Sequence, residues 1–122
     1  MFLLDTNVLS NARKKKAGKA NRGVIQFMSD TPTIETFISV ITVMEIRQGS
    51  LLLERKDPKQ ASVYLDWLES EIMPAFEGRI IPVTTEIALE CAALHVPDKQ
   101  PANDALIAAT AKVKGLTVVT SA

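Results

Sequence analysis

Residues 103–119 read NDALIAATAKVKGLTVV and combine a helical stretch, a helix stop and an apolar strand. We expect Asn103 to cap a helix over residues 104–114, because asparagine is a favoured N-cap residue. Gly115 is predicted to end that helix, since glycine readily adopts the left-handed conformation found at helix C-termini. Residues 116–119 then predict a short buried strand. Such a helix-to-strand unit is typical of a sheet whose strands run parallel.

The same alternation of strand and helix extends back to the start of the chain. Strands are predicted at residues 1–4, 35–40, 79–83 and 116–119. Further helices are predicted from Val8, through residues 24–28, through residues 43–46 toward Gly49, from Asp57-Pro58 to Gly78, and over residues 84–94. The first two strands are predominantly apolar rather than alternating, which indicates that both of their faces are covered. The sequence therefore predicts an α/β fold with a parallel sheet and helices on both faces.

Polar residues near the ends of the first two strands are expected to cap the helices that follow. Thr6 or Asn7 is predicted to cap the helix that begins at Val8. Ser39 or Thr42 is predicted to cap the helix after the second strand. In parallel α/β sheets the working cleft lies beyond the carboxyl ends of the strands, so a site is expected at these same positions.

The composition indicates one domain over residues 1–122 and excludes several classes of protein. The 14 basic and 14 acidic side chains balance, so the chain has no overall positive field that would attract nucleic acid. Its single cysteine excludes a disulfide framework and fits a reducing compartment. The first residues contain no basic leader, and no apolar run approaches the roughly 20 residues of a membrane span. We therefore expect a cytoplasmic protein without a membrane partner.

Three acids lie at predicted element boundaries: Asp5 after the first strand, Glu45 in an apolar stretch of helix, and Asp104 at the start of a helix. Each also has a structural explanation, because Asp5 can cap a helix, Glu45 can lie on a solvated stripe, and Asp104 can complement a helix dipole. If the fold brings the three together, their mutual repulsion requires a cation. An all-oxygen site suits Mg²⁺ or Mn²⁺, which points to metal-dependent chemistry on a phosphate ester.

One dense run of basic residues, uninterrupted by an acid, follows Asp5 closely in the sequence. It consists of Arg13, Lys14, Lys15, Lys16, Lys19 and Arg22. Such a run is consistent with an edge that binds the phosphates of RNA. A solvated loop explains it equally well, so both interpretations stay open.

Four segments of the chain resemble, in the same order, those of PIN-domain proteins, and more narrowly the VapC and FitB type of toxin from bacterial toxin–antitoxin pairs. They are LLDTNVLS, SVITVMEIRQG, EIMPAFEGRIIP and DALIAATAKVKGLTVVT, and the resemblance covers nearly the whole chain. The resemblance implies a PIN-like three-layer α/β fold and a Mg²⁺- or Mn²⁺-dependent endoribonuclease acting on RNA such as tRNA or rRNA. As partners it implies a second copy of the chain in a homodimer, a cognate antitoxin, and operator DNA reached only through that antitoxin.

The resemblance also assigns roles to individual residues. The implied catalytic and metal-ligating acids are Asp5, Glu45 and Asp104. The residues expected to orient these carboxylates or metal-bound waters are Thr6, Asn7, Ser39 and Thr42.

The chain departs from the family pattern after Thr120. Members of the family usually continue with a basic residue, a fourth acid and a closing strand, whereas here Ser121 and Ala122 end the sequence. We therefore expect a PIN fold that is short by its C-terminal strand. The alternative hypothesis is a catalytically weak or inactive PIN subunit that acts through a DNA-bound toxin–antitoxin repressor complex. A phospho-accepting receiver domain is disfavoured, because it needs paired acids after the first strand and a lysine after the last.

Overall fold

The structure is a computed structural model that describes residues 1–14, 18 and 21–121. Three members of the predicted basic run, Lys15, Lys16 and Lys19, lie outside the described residues. None of the helices within the described ranges has the length and apolar character needed to cross a membrane.

In the described part of the chain, four parallel strands make up the sheet. They are β1 (Phe2–Leu4), β2 (Thr36–Ser39), β3 (Ile80–Ile81) and β4 (Thr117–Val119), arranged in the order β3-β2-β1-β4. In β1, Leu3 pairs with Phe37 of β2 on one side and with Val118 of β4 on the other. Each observed strand falls within a predicted one, so the predicted parallel sheet is confirmed.

Helices connect these strands. Those in the described residues are α1 (Thr6–Arg13), α2 (Arg22–Asp30), α3 (Val40–Glu54), α4 (Pro58–Trp67), α5 (Met73–Ala75), α6 (Thr85–Leu94) and α7 (Ala102–Lys114). A turn of 3₁₀-helix (Thr33–Glu35) leads into β2, and a π-helical turn (Leu68–Ile72) joins α4 to α5. The wide π turn comes just before Pro74, whose ring would clash with the carbonyl four residues back in a regular α-helix. The helix predicted to end at Gly78 is thus one helical segment that contains a wider turn.

The predicted start of α1 is wrong. The helix begins at Thr6 rather than Val8, and its N-cap is Asp5 instead of Thr6 or Asn7. The Asp5 Oδ1 atom accepts a 2.6 Å hydrogen bond from the Asn7 N–H. Asp5 occupies the cap position because β1 ends at Leu4, so its extended backbone places the carboxylate beside the first free N–H groups.

The predicted start of α7 is also wrong. This helix begins at Ala102, with Pro101 at the N-cap and no side-chain cap. The Pro101 carbonyl accepts a 2.9 Å hydrogen bond from the Ala105 N–H, so the helical pattern is already established there. Asn103 therefore lies inside the first turn of α7 and does not cap it.

Two other predicted helix ends are confirmed. Ser39 is the N-cap of α3, and its buried hydroxyl accepts a 3.0 Å hydrogen bond from the Ile41 N–H. Gly115 ends α7 with φ 66° and ψ 35°, in the left-handed region that glycine adopts without a Cβ clash.

Packing on both faces of the sheet makes the fold three-layered. Leu3 and Leu4 are both fully buried, yet they belong to separate clusters because successive side chains of a strand point to opposite faces. Leu4 packs with Val8 and Trp67, whereas Leu3 packs with Ile87 of α6. The prediction of helices on both faces is therefore confirmed.

Candidate functional site

The carboxyl ends of β1, β2 and β4 lie side by side, because these strands are parallel neighbours. Asp5 follows β1 directly, and its backbone N–H donates to the Val119 carbonyl of β4 at 3.1 Å. Ser39 ends β2, and α3 starts from it and carries Glu45 in its second turn. The edge where a cleft is expected in a parallel sheet therefore contains the first two predicted acids.

The Glu45 side chain of α3 contacts residues of two other helices, α1 and α7. Its Oε1 atom accepts a 2.7 Å hydrogen bond from the Thr6 hydroxyl of α1, and its Oε2 atom lies 3.5 Å from Nδ2 of Asn103 in α7. Thr6 immediately follows Asp5, and Asn103 immediately precedes Asp104. The fold therefore brings the backbone at all three predicted acids close together, although the three residues are widely separated in sequence.

Two successive hydrogen bonds, through Thr42 and Thr6, orient the Glu45 carboxylate. The hydroxyl oxygens of Thr6 and Thr42 are 3.0 Å apart, and Thr42 is fully buried. A hydroxyl has a single proton, so when Thr6 donates to Glu45 the second hydrogen bond must be donated by Thr42. The order Thr42 to Thr6 to Glu45 satisfies the buried hydroxyl and orients the carboxylate. Thr6 and Thr42 therefore lie where the sequence analysis expected orienting residues.

The four other predicted site residues have different surroundings. The Ser39 hydroxyl caps α3, and the exposed Asn7 contributes its backbone N–H to Asp5. One oxygen of Asp5 accordingly serves as a helix cap, as its structural interpretation suggested. Asp104 is exposed in the first turn of α7.

The candidate ligands for a metal ion are all carboxylate oxygens, and this donor chemistry suits a hard divalent cation. Across the described residues, however, no group of three or more His, Cys, Asp and Glu side chains is arranged to hold a metal ion. Glu45 is instead held by protein hydrogen-bond donors on both of its oxygens. Binding of one ion by Asp5, Glu45 and Asp104 together would therefore require a rearrangement of these side chains.

The contact between Asn103 and Glu45 was not predicted from the sequence. Asparagine before a helical run favours a cap assignment, and that preference concealed its position inside the helix. The informative signal was Pro101, because proline is tolerated at the start of a helix but not in its interior. A helix that starts at that proline places Asn103 within its first turn.

The described members of the basic run have different surroundings. Arg13 lies with its guanidinium carbon 5.1 Å from the ring centre of Tyr64 and 5.6 Å from that of Trp67. Lys14 is exposed at the end of α1, and Arg22 is exposed at the start of α2. Arg13 therefore makes cation–π contacts with α4.

An open groove of about 740 Å³ lies between α1, α2 and the α4–α5 segment. Its lining includes the apolar residues Leu9, Met28, Trp67, Ile72 and Phe76. Both basic and acidic side chains are also present, including Lys14 and Glu71. Asp5, Glu45 and Asp104 are not among the lining residues, so the groove is separate from the carboxylate edge.

Comparisons with known proteins agree with this architecture. A family model for the PIN domain matches residues 2–122. Toxin FitB of Neisseria gonorrhoeae is 36% identical, over 98% of this chain and 86% of FitB. VapC ribonuclease Y4jK of Sinorhizobium fredii is 34% identical, over 98% of this chain and 86% of that protein. The solved structure of FitAB bound to the IR36 DNA fragment matches with a TM-score of 0.83 and 34% identity, over 98% of this chain and 84% of that chain. The resemblance inferred from the sequence is confirmed, and the chain belongs to the PIN-domain family.

Proposed function

We propose that this chain is the toxin of a toxin–antitoxin pair and acts as a metal-dependent endoribonuclease that hydrolyses phosphodiester bonds in RNA. The proposal rests on one observation. Thr6, which follows Asp5, and Asn103, which precedes Asp104, both contact the Glu45 carboxylate. Similarity to a VapC ribonuclease and to toxin FitB supports the same activity. We propose that the whole chain acts as one domain. We also propose that it acts in the cytoplasm, on RNA present there.

Asp5, Glu45 and Asp104 would hold Mg²⁺ or Mn²⁺ through their carboxylate oxygens. When bound, such an ion supplies a polarised phosphoryl oxygen and a water of lowered pKa for in-line attack. The protein's own contribution is orientation, because Thr42 and Thr6 hold one oxygen of Glu45 through successive hydrogen bonds. Hydrolysis by water requires no 2′-hydroxyl. Selectivity for RNA would therefore come from the shape of the substrate and its loops.

The proposed partners are an antitoxin, a second copy of the chain, and operator DNA bound through the antitoxin. The DNA-bound FitAB complex contains a chain that is 34% identical to this one, which supports this assembly. Equal numbers of basic and acidic residues argue against direct binding of DNA by the chain itself. The groove lined by Trp67 and Phe76 is a suitable surface for an amphipathic antitoxin segment, because it combines apolar and charged side chains.

A second candidate function is a catalytically weak PIN subunit that acts mainly through a repressor complex. This alternative is favoured by the lack of a three-acid metal cluster among the described residues. It predicts that the chain contributes to DNA binding with its antitoxin but does not cleave RNA.

RNA cleavage with matched variants tests the two functions. Purified protein is incubated with total RNA and Mn²⁺, beside Asp5→Asn and the control Asp98→Asn, which changes an exposed acid in the α6–α7 loop. We expect metal-dependent fragments from the wild type and the control, and a loss of about 100-fold or more in Asp5→Asn. Cleavage that is absent, or equal in all three proteins, would exclude the nuclease proposal. Tighter operator binding by the chain together with its antitoxin than by the antitoxin alone would then support the repressor function.

A further inference from the structure

Asn103 occupies an unusual position for its residue type. It lies in the first turn of α7, between Ala102 and Asp104, with a half-buried side chain. Asparagine favours N-cap and turn positions over positions within a helix, because its side chain competes for backbone hydrogen bonds. Capping does not explain its presence, since Pro101 holds the N-cap position. Its contact with Glu45 does offer an explanation.

The contact completes a two-sided support for the Glu45 carboxylate. Thr6 holds Oε1 at 2.7 Å from α1, while Nδ2 of Asn103 faces Oε2 at 3.5 Å from α7. A carboxylate held on one oxygen can still rotate about its last bond, whereas donors on both oxygens select one plane. The distance between Nδ2 of Asn103 and Oε2 of Glu45 is long for a hydrogen bond. Hydrogen bonds in active sites often shorten when the substrate binds.

The chemistry of the donor matters as much as its position. An amide is neutral, so it orients the carboxylate without cancelling the charge that attracts a cation. Lysine or arginine at the same position would form an ion pair and compete with the metal. Because Asp104 is the next residue, the same contact also sets the first turn of α7 against α3.

We propose that Asn103 is a positioning residue: its amide orients the second oxygen of Glu45 and thereby aligns α7, with Asp104, for binding of a divalent cation. This inference rests on the proposed metal-dependent function. It is distinct from the roles of Thr6 and Thr42, which act on the opposite oxygen.

A double-mutant cycle measures the contact without requiring activity. Unfolding equilibria are compared for the wild type, Asn103→Ala, Glu45→Ala and the double variant. The cycle cancels the gain in helix propensity that alanine brings to each single variant. We expect the two substitutions to be coupled, so that the unfolding constants depart from additivity by about threefold or more. Additivity would overturn the proposal, whether or not the protein cleaves RNA.

Mn²⁺ binding and kinetics then separate positioning from a structural role. We expect Asn103→Ala to weaken Mn²⁺ binding by about 10-fold or more and to lower kcat, with KM for RNA unchanged. Asn103→Gln, whose amide can still reach Oε2, should bind Mn²⁺ within about threefold of the wild type. The matched control is Gln26→Ala, which removes an exposed amide-to-carboxylate hydrogen bond to Asp30 of 2.8 Å in α2.

The outcomes distinguish this inference from the proposed function. Wild-type protein that neither binds Mn²⁺ nor cleaves RNA overturns the proposed function and, with it, alignment for a cation. Wild-type protein that does both, with Asn103→Ala equal to it in Mn²⁺ affinity, overturns the positioning role alone. Weakened Mn²⁺ binding in Asn103→Ala, with rescue by Asn103→Gln and no change in Gln26→Ala, supports it.

Discussion

Replacing Thr6 by valine removes one hydroxyl while preserving the shape of the side chain. Two hydrogen bonds are lost, one to Glu45 at 2.7 Å and one to Thr42 at 3.0 Å. A hydrogen bond to a charged group contributes about 1.5–3 kcal/mol, and a buried polar group left without a partner costs about 1–3 kcal/mol. The second cost applies in full to Thr42, because it is completely buried.

The two terms overlap, because both arise from the loss of the single Thr6 hydroxyl. We therefore expect Thr6→Val to lower the free energy of unfolding by about 3 kcal/mol. For a chain of 122 residues this corresponds to a fall in Tm of about 10 °C. The loss is a large part of the roughly 5–15 kcal/mol that stabilises a typical domain, yet the variant should still fold.

Urea unfolding followed by tryptophan fluorescence is a suitable assay. Trp67 is the single tryptophan of the chain and is buried, so its emission reports on the loss of the core. Thr6→Ser keeps the hydroxyl and should lose about 1 kcal/mol or less. Thr85→Val, at an exposed threonine of α6, should change stability by less than about 0.5 kcal/mol. A Thr6→Val variant no less stable than Thr85→Val would refute the proposed hydrogen-bond chain.

Three further outcomes are expected. Ser39→Ala should destabilise the protein by about 1 kcal/mol through loss of the α3 cap, measured by urea unfolding, and an unchanged midpoint would contradict this role. Gly115→Ala should cost about 1 kcal/mol, because φ is 66° there and no atom lies within 4 Å of the added Cβ; equal stability in thermal unfolding would exclude a purely conformational cost. Chelation by EDTA should abolish RNA cleavage and added Mn²⁺ should restore it, whereas cleavage that persists in EDTA would rule out the metal-dependent mechanism.

Local sequence signals predicted the order of elements and several of their ends. Apolar runs bounded by turn residues located all the described strands within a residue or two. Gly115 was identified as a helix end, and Ser39 as one of two candidate caps beside Thr42, from residue type alone. These predictions succeeded because capping and chain reversal depend on a few neighbouring residues.

The roles of Asp5 and Asn103 were less accessible to local reasoning. Both asparagine and threonine are good caps, so Thr6 and Asn103 were assigned to capping when other residues fill those positions. Where a strand ends relative to the next helix is set by its pairing with β2 and β4, which residue type does not reveal. A shift of one or two residues was enough to exchange capping roles and site contacts.

The sequence by itself determined a parallel α/β domain of the PIN family, because periodicity, turn residues and motif order are properties of neighbouring positions. Only the tertiary structure decided that Thr6 and Asn103, which are 39 and 58 positions from Glu45, meet on its two carboxylate oxygens. That meeting depends on how α1, α3 and α7 cross at the carboxyl edge of the sheet. The way these helices cross is determined by core packing on both faces of the sheet. A hydrogen bond between them forms only when that packing brings the donor and acceptor atoms within about 3.5 Å.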